Sequence, residues 1–314
     1  MHPTRKPNRN RLSRACLLPL LTLLGALFLL EVRAQDDATT EELLGKGIDD
    51  APTYTFATFK ANRVINGHSV EQMRARHLLF LIQHRFSTVE EGWYDLFGFD
   101  GAQIRIGLDY GLTDWLTVGL ARNSYQKSYD GYAKLRLLRQ ASGPRPMPLT
   151  LNVVGATAVQ TLRRPADAEG RTLPDRARLY YTWQLLAARK WSEWFSTQLS
   201  PTVVHRNLVR TAAERNTLFS LGVGGRFKFS KRAALLAEYF WVPDDHLIRT
   251  GPNRHFNALA IGFDIETGGH VFQLHFTNAT GMMERAFIGE TTSDFFAGQI
   301  RFGFNIHRTF SFEK

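Results

Sequence analysis

The sequence has one cysteine in 314 residues, which excludes a disulfide-stapled scaffold. That cysteine, Cys16, stands at the front of an apolar run, not behind one, so it is not a lipoprotein acceptor. Beyond residue 34 no stretch approaches roughly 18 consecutive apolar residues, which excludes membrane-spanning helices there. There is no P-loop, no dinucleotide fingerprint and no Cys-x-x-Cys pair, so neither a cofactor nor a metal is expected. Apolar residues, in contrast, make up 44%, with 23 Phe and 25 Gly. That is ample for a core or a lipid-facing surface and excludes a disordered chain.

The net charge of +10 invites a nucleic-acid reading, but the charges are unevenly placed. Arg5, Lys6, Arg9, Arg11 and Arg14 precede an uncharged run from Ala15 to Leu30, and Val32-Arg33-Ala34 follows. A basic start, a short apolar segment and a small-residue site predict a signal peptide over 1–34, with an uncleaved anchor as the alternative. With Glu31 the only acid among them, these residues carry half of the +10. Export, and no nucleic-acid partner, is the expectation. Residues 35–52 are acidic and read as a leader.

From Arg74 onward one pattern recurs, with apolar residues alternating with polar or small ones in runs bounded by turn residues. Residues 103–110 place Ile104, Ile106 and Leu108 opposite Arg105, Gly107 and Asp109. Residues 219–229 place Phe219, Leu221, Val223 and Phe227 opposite Ser220, Gly222, Gly224 and Arg226. Similar runs occupy 74–86, 115–121, 130–139, 148–159, 179–190, 195–206, 233–242, 257–266, 270–277 and 299–307, twelve in all. The intervals alternate long and short, 122–129 being long and 140–147 medium. Aromatics crowd the short turns: Tyr110, Trp115, Trp191, Trp194, Phe227 and Phe229. An even strand number, unequal loops and aromatic ends predict an all-β, antiparallel, up-and-down transmembrane barrel of about 12 strands over 73–314. The aromatic finish Phe310-Ser311-Phe312 resembles the signal read by barrel-insertion machinery, a match made partial by Lys314. A soluble β-sandwich also alternates, but a face this rich in Gly and paired charges suits a confined lumen better.

The segments KANRVINGHSVEQ (60–72), HRF (84–86), GWYDLFGFD (92–100), IRIGLDYGLTDWLTVGLARNS (104–124) and YDGYAKLRLLRQ (129–140) resemble a β-barrel family of Bacteroidota. It is catalogued as a domain of unknown function, number fifty-seven seventy-seven of that series. The resemblance is dense over 55–140 and pattern-level beyond. It implies an outer-membrane barrel and supplies no catalytic residue, substrate or cofactor.

On the face assigned to the lumen stand Arg105, Lys134, Arg136, Arg226, Lys228 and Arg301, with Asp109, Glu238, Asp264 and His307. Two readings stay open: an ion-pair lattice bracing the wall, or a water-filled, anion-preferring pathway for a small solute. The inward glycines leave free volume, for a bore or for a plug. Residues 35–72 are a periplasmic leader or a lumen plug. If they plug the bore, Lys60, Asn62, Arg63, Asn66 and His68 are the contacts expected; otherwise they lead into the first strand.

Other chemistry is weakly supported. His77, His84, His205, His275 and His307 lie on separate strands with no serine in a nucleophile context. Asp244-Asp245-His246 reads as a divalent-cation contact or a solvated acidic pair. Met282, Met283 and Phe287 mark an amphipathic turn over the barrel mouth. Long loops carry Arg163, Arg164, Arg171, Arg176 and Arg178, then Arg206, Arg210 and Arg215, then Arg249 and Arg254. These guanidinium groups suit lipopolysaccharide phosphates or local carboxylates equally. The functional expectation is a narrow passive channel or solute-binding barrel with weak anion preference, not an enzyme. Its alternative is a non-conducting structural or partner-binding barrel.

Overall fold

The computed structural model describes residues 52–163, 173–209, 211, 214–251, 254–267 and 269–312. The expected signal peptide over 1–34, most of the expected leader, and Arg164, Arg171 and Arg210 lie outside them. Among the described residues twelve antiparallel strands close into one barrel. They are β1 His77–Thr88, β2 Ala102–Thr113, β3 Leu116–Asn123, β4 Ser128–Leu138, β5 Thr150–Gln160 and β6 Leu179–Lys190. Then follow β7 Phe195–Arg206, β8 Thr217–Lys228, β9 Ala233–Trp241, β10 Ala258–Thr267, β11 His270–Thr277 and β12 Arg301–Ser311. Each strand pairs with its neighbours in sequence, and β12 closes on β1 from Arg301↔Thr88 to Ser311↔His77. With no free edge, every strand finds its backbone partners inside the ring, as the hydrocarbon core requires.

Alternation sets which side chains face out. Ile261, Phe263 and Ile265 of β10 are exposed on the outer wall, whereas Ala260 and Asp264 are buried within. Phe219, Val223 and Phe227 of β8 face out, and Ser220 and Arg226 face in. Trp115, Trp191, Trp194 and Phe229 stand exposed at the short-turn end. The strands run 8 to 12 residues, near the ~9–11 needed for a tilted crossing of the bilayer core.

Two connections depart from expectation. The expected long loop at 122–129 shrinks to 124–127, because Arg122 and Asn123 extend β3 while Ser128 and Tyr129 extend β4 and pair with β3 and β5. Their polarity reads as loop, but they continue the ladder of the strand in which Asp130 points inward to Arg105. The connection at the other end, 139–149, is correspondingly longer, and its Ala141–Ser142 pairs with Thr53–Tyr54. That pairing ties the chain to the short-turn rim before it turns inward.

Candidate functional site: a filled lumen

Residues Thr58 to Val70, apart from the half-buried Lys60, are buried inside the barrel. They form a tight hairpin, with Val64 N–H donating to Gly67 O (2.9 Å), Ser69 N–H to Asn62 O (3.1 Å), and Arg63 bridged to His68. The Ile65-Asn66 turn with Gly67 after it supplies the reversal, a residue set that favours turns.

The wall receives this hairpin through polar groups aimed inward. At the tip, the Glu238 carboxylate of β9 accepts from the backbone N–H of Ile65 (3.2 Å), Asn66 (2.9 Å) and Gly67 (3.0 Å). Three orphan donors thus share one buried acceptor. Gln198 of β7 accepts from Val70 N–H (2.9 Å) and donates to His68 O (2.7 Å). Gln273 of β11 donates to Val64 O (2.9 Å), Asn305 of β12 to Ile65 O (3.0 Å), and Asn152 of β5 to Val70 O (2.8 Å). Asn62 donates to Asp109 of β2 (2.8 Å) and to the Tyr132 hydroxyl of β4 (2.9 Å), while Lys134 donates to its side-chain oxygen. Lys134 also donates to the carbonyls of Ser69 (3.1 Å) and Glu71 (2.5 Å).

Apolar contacts complete the fit. Phe59, Val64, Ile65 and Val70 of the hairpin cluster with Tyr132, Val154, Leu186, Leu236 and Ala260 of the wall. The inward glycines accommodate this packing. A Cβ at Gly119 would fall 2.1 Å from the Tyr132 ring and 2.3 Å from the Asp109 carboxylate. At Gly224 it would meet Val64 at 3.3 Å. The volume that the glycines leave is therefore occupied by side chains.

The opposite mouth is covered by the β11–β12 connection. Its helix α1, Glu284–Gly289, is buried at every residue, and Phe287 and Ile288 pack with Val204, Leu218 and Phe240 of the wall. Met283 and Ala286 pack on Tyr180. The turn expected around Met282, Met283 and Phe287 thus lies inside the mouth. The two pieces meet where Arg63 of the hairpin pairs with Glu284 of α1 (2.6 Å). His68 Nε2 lies 3.4 Å from the same carboxylate. Burial, and next Arg63, pushes the His68 imidazole well below its ordinary range. Arg85 of β1 fastens the junction, donating to Asn66 Oδ1 (2.7 Å) and to the carbonyls of Ala279 and Gly281 (both 3.2 Å).

The remaining wall charges are distributed as follows. Arg105 is fully buried and forks onto Asp130 (Nη2 to Oδ2 2.5 Å), donating also to Gln83 (2.8 Å). Arg226 is buried, 3.9 Å from Asp264, which accepts from Gln273 (2.8 Å). Lys60 pairs with Glu266 (2.8 Å) near the short-turn rim. Arg136 is half-buried at that rim and donates to Asp114 O (3.3 Å); Lys228 is half-buried nearby. Arg301 sits at the other end, donating to Thr280 (2.9 Å) and Ser293 (3.3 Å). His307 is buried, its Nδ1 3.4 Å from Val271 O.

Sequence reasoning missed Arg85, Gln198, Gln273, Asn152, Asn305 and Glu284. Four are uncharged or carry no catalytic signature, Glu284 lies in a loop, and Arg85 sits in a run whose face was left unassigned. The alternation Leu79, Leu81, Gln83, Arg85 was the available signal.

Asp244, Asp245 and His246 do not converge. Asp244 pairs with Arg249 (3.2 Å), Asp245 with Arg215 (2.6 Å), and His246 Nδ1 accepts from Phe219 N–H (3.1 Å). Among the described residues no cluster suited to a metal ion is found. Other loop arginines are likewise engaged: Arg206 with Glu214 (3.0 Å), Arg178 with Leu162 O (2.7 Å), and Arg254 over the Phe256 ring (4.8 Å).

A closed antiparallel ring with an apolar outer belt and a polar, filled interior defines a transmembrane β-barrel of the outer-membrane class. The chain belongs to the family described as a membrane bound beta barrel domain (DUF5777), whose match covers residues 59–310 and so begins inside the luminal hairpin. Among solved structures it is similar to the NanC porin at 7% identity, over 76% of this chain and 100% of that one, with a TM-score of 0.44. The KdgM porin gives 8%, 74%, 99% and 0.43 in the same order. The COG4313 outer membrane channel from Pseudomonas putida F1 gives 13%, 77%, 98% and 0.44. No curated protein matches the sequence. The protein is an outer-membrane barrel in contact with the lipid bilayer.

Proposed function

We propose that this barrel is closed in the conformation described and acts as a structural or partner-binding element of the outer membrane, with its own N-terminal segment as the plug. The observation that supports it is the hairpin at 58–70, which shares hydrogen bonds with wall residues on β1, β2, β4, β5, β7, β9, β11 and β12. Twelve strands enclose a bore between the filled eight-stranded barrel and the open porin, so its contents decide conduction. In this reading the wall charges Arg105, Asp109, Lys134 and Glu238 position the plug. Barrel-insertion machinery is the partner that assembles it, and lipopolysaccharide phosphates compete with carboxylates for the loop arginines.

The second reading, a narrow channel with weak anion preference, requires the hairpin to leave. The cationic residues at the short-turn rim, Lys60, Arg226 and Lys228, favour it. Planar-bilayer recording with the full-length barrel separates the two. Closed barrels with conductance appearing after deletion of residues 35–72 support the plug; equal conductance before and after overturns it. A heat-modifiable gel shift of each protein reports that the barrel itself has folded.

A further inference from the structure

At the short-turn end, between residues 53–60, the β6–β7 turn and β8, the barrel holds a cavity of about 740 Å³. We infer that this vestibule is a binding site for a small organic polyanion bearing carboxylate or phosphate groups, held by Arg226 and Lys228 with Lys60 and Lys190. The inference is independent of whether the barrel conducts.

Its volume lies within the ~300–1,000 Å³ usual for small-molecule sites. Its wall carries four cations, Lys60, Lys190, Arg226 and Lys228, against one carboxylate, Glu193, a net of three positive. Strand register explains the grouping. Lys190 of β6 stands opposite Ser196 of β7, and Ser196 stands opposite Arg226 of β8. With neighbouring strands ~4.8 Å apart, Lys190 and Arg226 are about 10 Å apart along one row, a span suited to a ligand with two anionic groups. Lys228 lies two positions further along the same inward face.

The cations differ in how far they are already satisfied. Lys60 is paired with Glu266, and Lys190 with Glu193 (2.9 Å) and Phe56 O (3.3 Å). Lys190, and after it Lys228, holds the Glu193 carboxyl below its ordinary range. Arg226 is 5% exposed, and its buried Nε has no hydrogen-bond partner among the described residues; the nearest carboxylate, Asp264, is 3.9 Å away. The Lys228 backbone N–H donates to Trp194 O (2.7 Å), but its ammonium has no hydrogen bond or ion pair among the described residues. A buried Nε–H without a hydrogen bond is costly, because an unmet donor forfeits its hydration. A bound carboxylate or phosphate would meet that donor together with an adjacent Nη–H, in the bidentate geometry that guanidinium favours.

The test uses the full-length barrel in detergent and isothermal titration with three probes: citrate for carboxylates, pyrophosphate for phosphates and glucose as the neutral control. Saturable binding of citrate or pyrophosphate, weakened at least tenfold by Arg226→Gln and by Lys228→Gln, with glucose inert, is the expected result. Which anion binds more tightly assigns the chemical class. Lys228→Gln, at a half-buried and unpartnered position, keeps the test decisive if Arg226→Gln fails to fold. No saturable anion binding overturns the proposal, and so does equal binding by wild type and both variants, which marks an adventitious ion only.

Discussion

At the scale of single residues, the interior depends on buried charges whose partners lie on other strands of the wall or on the hairpin. Arg105 is held by Asp130 through a fork of three contacts. Such a pair is weak evidence for stability as a whole, but removing one partner strands the other charge. Asp130→Ala should therefore destabilise the barrel by about 3–5 kcal/mol, read as a lower urea midpoint for unfolding from lipid vesicles. An unchanged midpoint would show that Arg105 is hydrated, not paired. Residue identity was legible in part. Arg105, Asp109 and Lys134 stand out in the sequence because charge in an alternating strand demands an inward face. Gln198, Gln273 and Asn305 do not, because a neutral amide carries no sign of whether it meets water or a peptide carbonyl.

At the scale of elements, the hairpin at 58–70 behaves as a thirteenth structural piece, anchored at its tip. Glu238→Ala removes the single acceptor for three backbone donors, and Glu238→Gln keeps one neutral acceptor. Each orphaned donor costs ~1–3 kcal/mol, so the alanine variant should loosen the tip by at least about 3 kcal/mol. Hydrogen exchange at Ile65, Asn66 and Gly67 reads this directly: faster in Glu238→Ala, intermediate in Glu238→Gln. Protection unchanged in the alanine variant would place the anchor elsewhere. The strand elements were readable to within a few residues, since inward and outward alternation has period two. The short 124–127 turn is hidden in the sequence because Arg122, Asn123, Ser128 and Tyr129 resemble loop residues by composition. The hairpin itself carried a turn signal, Asn66-Gly67, but no periodicity distinguishes a luminal insert from a leader.

At the scale of the whole molecule, the outer wall and the lumen obey opposite rules. Phe263 of β10 faces out, and Phe263→Arg should cost about 2–4 kcal/mol if the position lies near the bilayer midplane. Refolding yield into vesicles, compared with Phe263→Leu, measures it; equal yields for the two would mean that this face does not meet lipid. The positive charge divides between the basic residues of the first 34 positions, arginines tied to loop partners, and cations inside the barrel.

The sequence by itself determined the barrel class, the approximate strand number and the outward face of each regular strand. Those follow from local alternation and from turn residues within a few positions of one another. Only the tertiary structure decided what the interior contains. The contacts that fill it join residues far apart in the chain, Ile65 with Glu238 and Arg63 with Glu284. An inward polar face reads the same in sequence whether water or peptide lies against it. Ring closure, which brings all twelve strands around one segment, settles the difference.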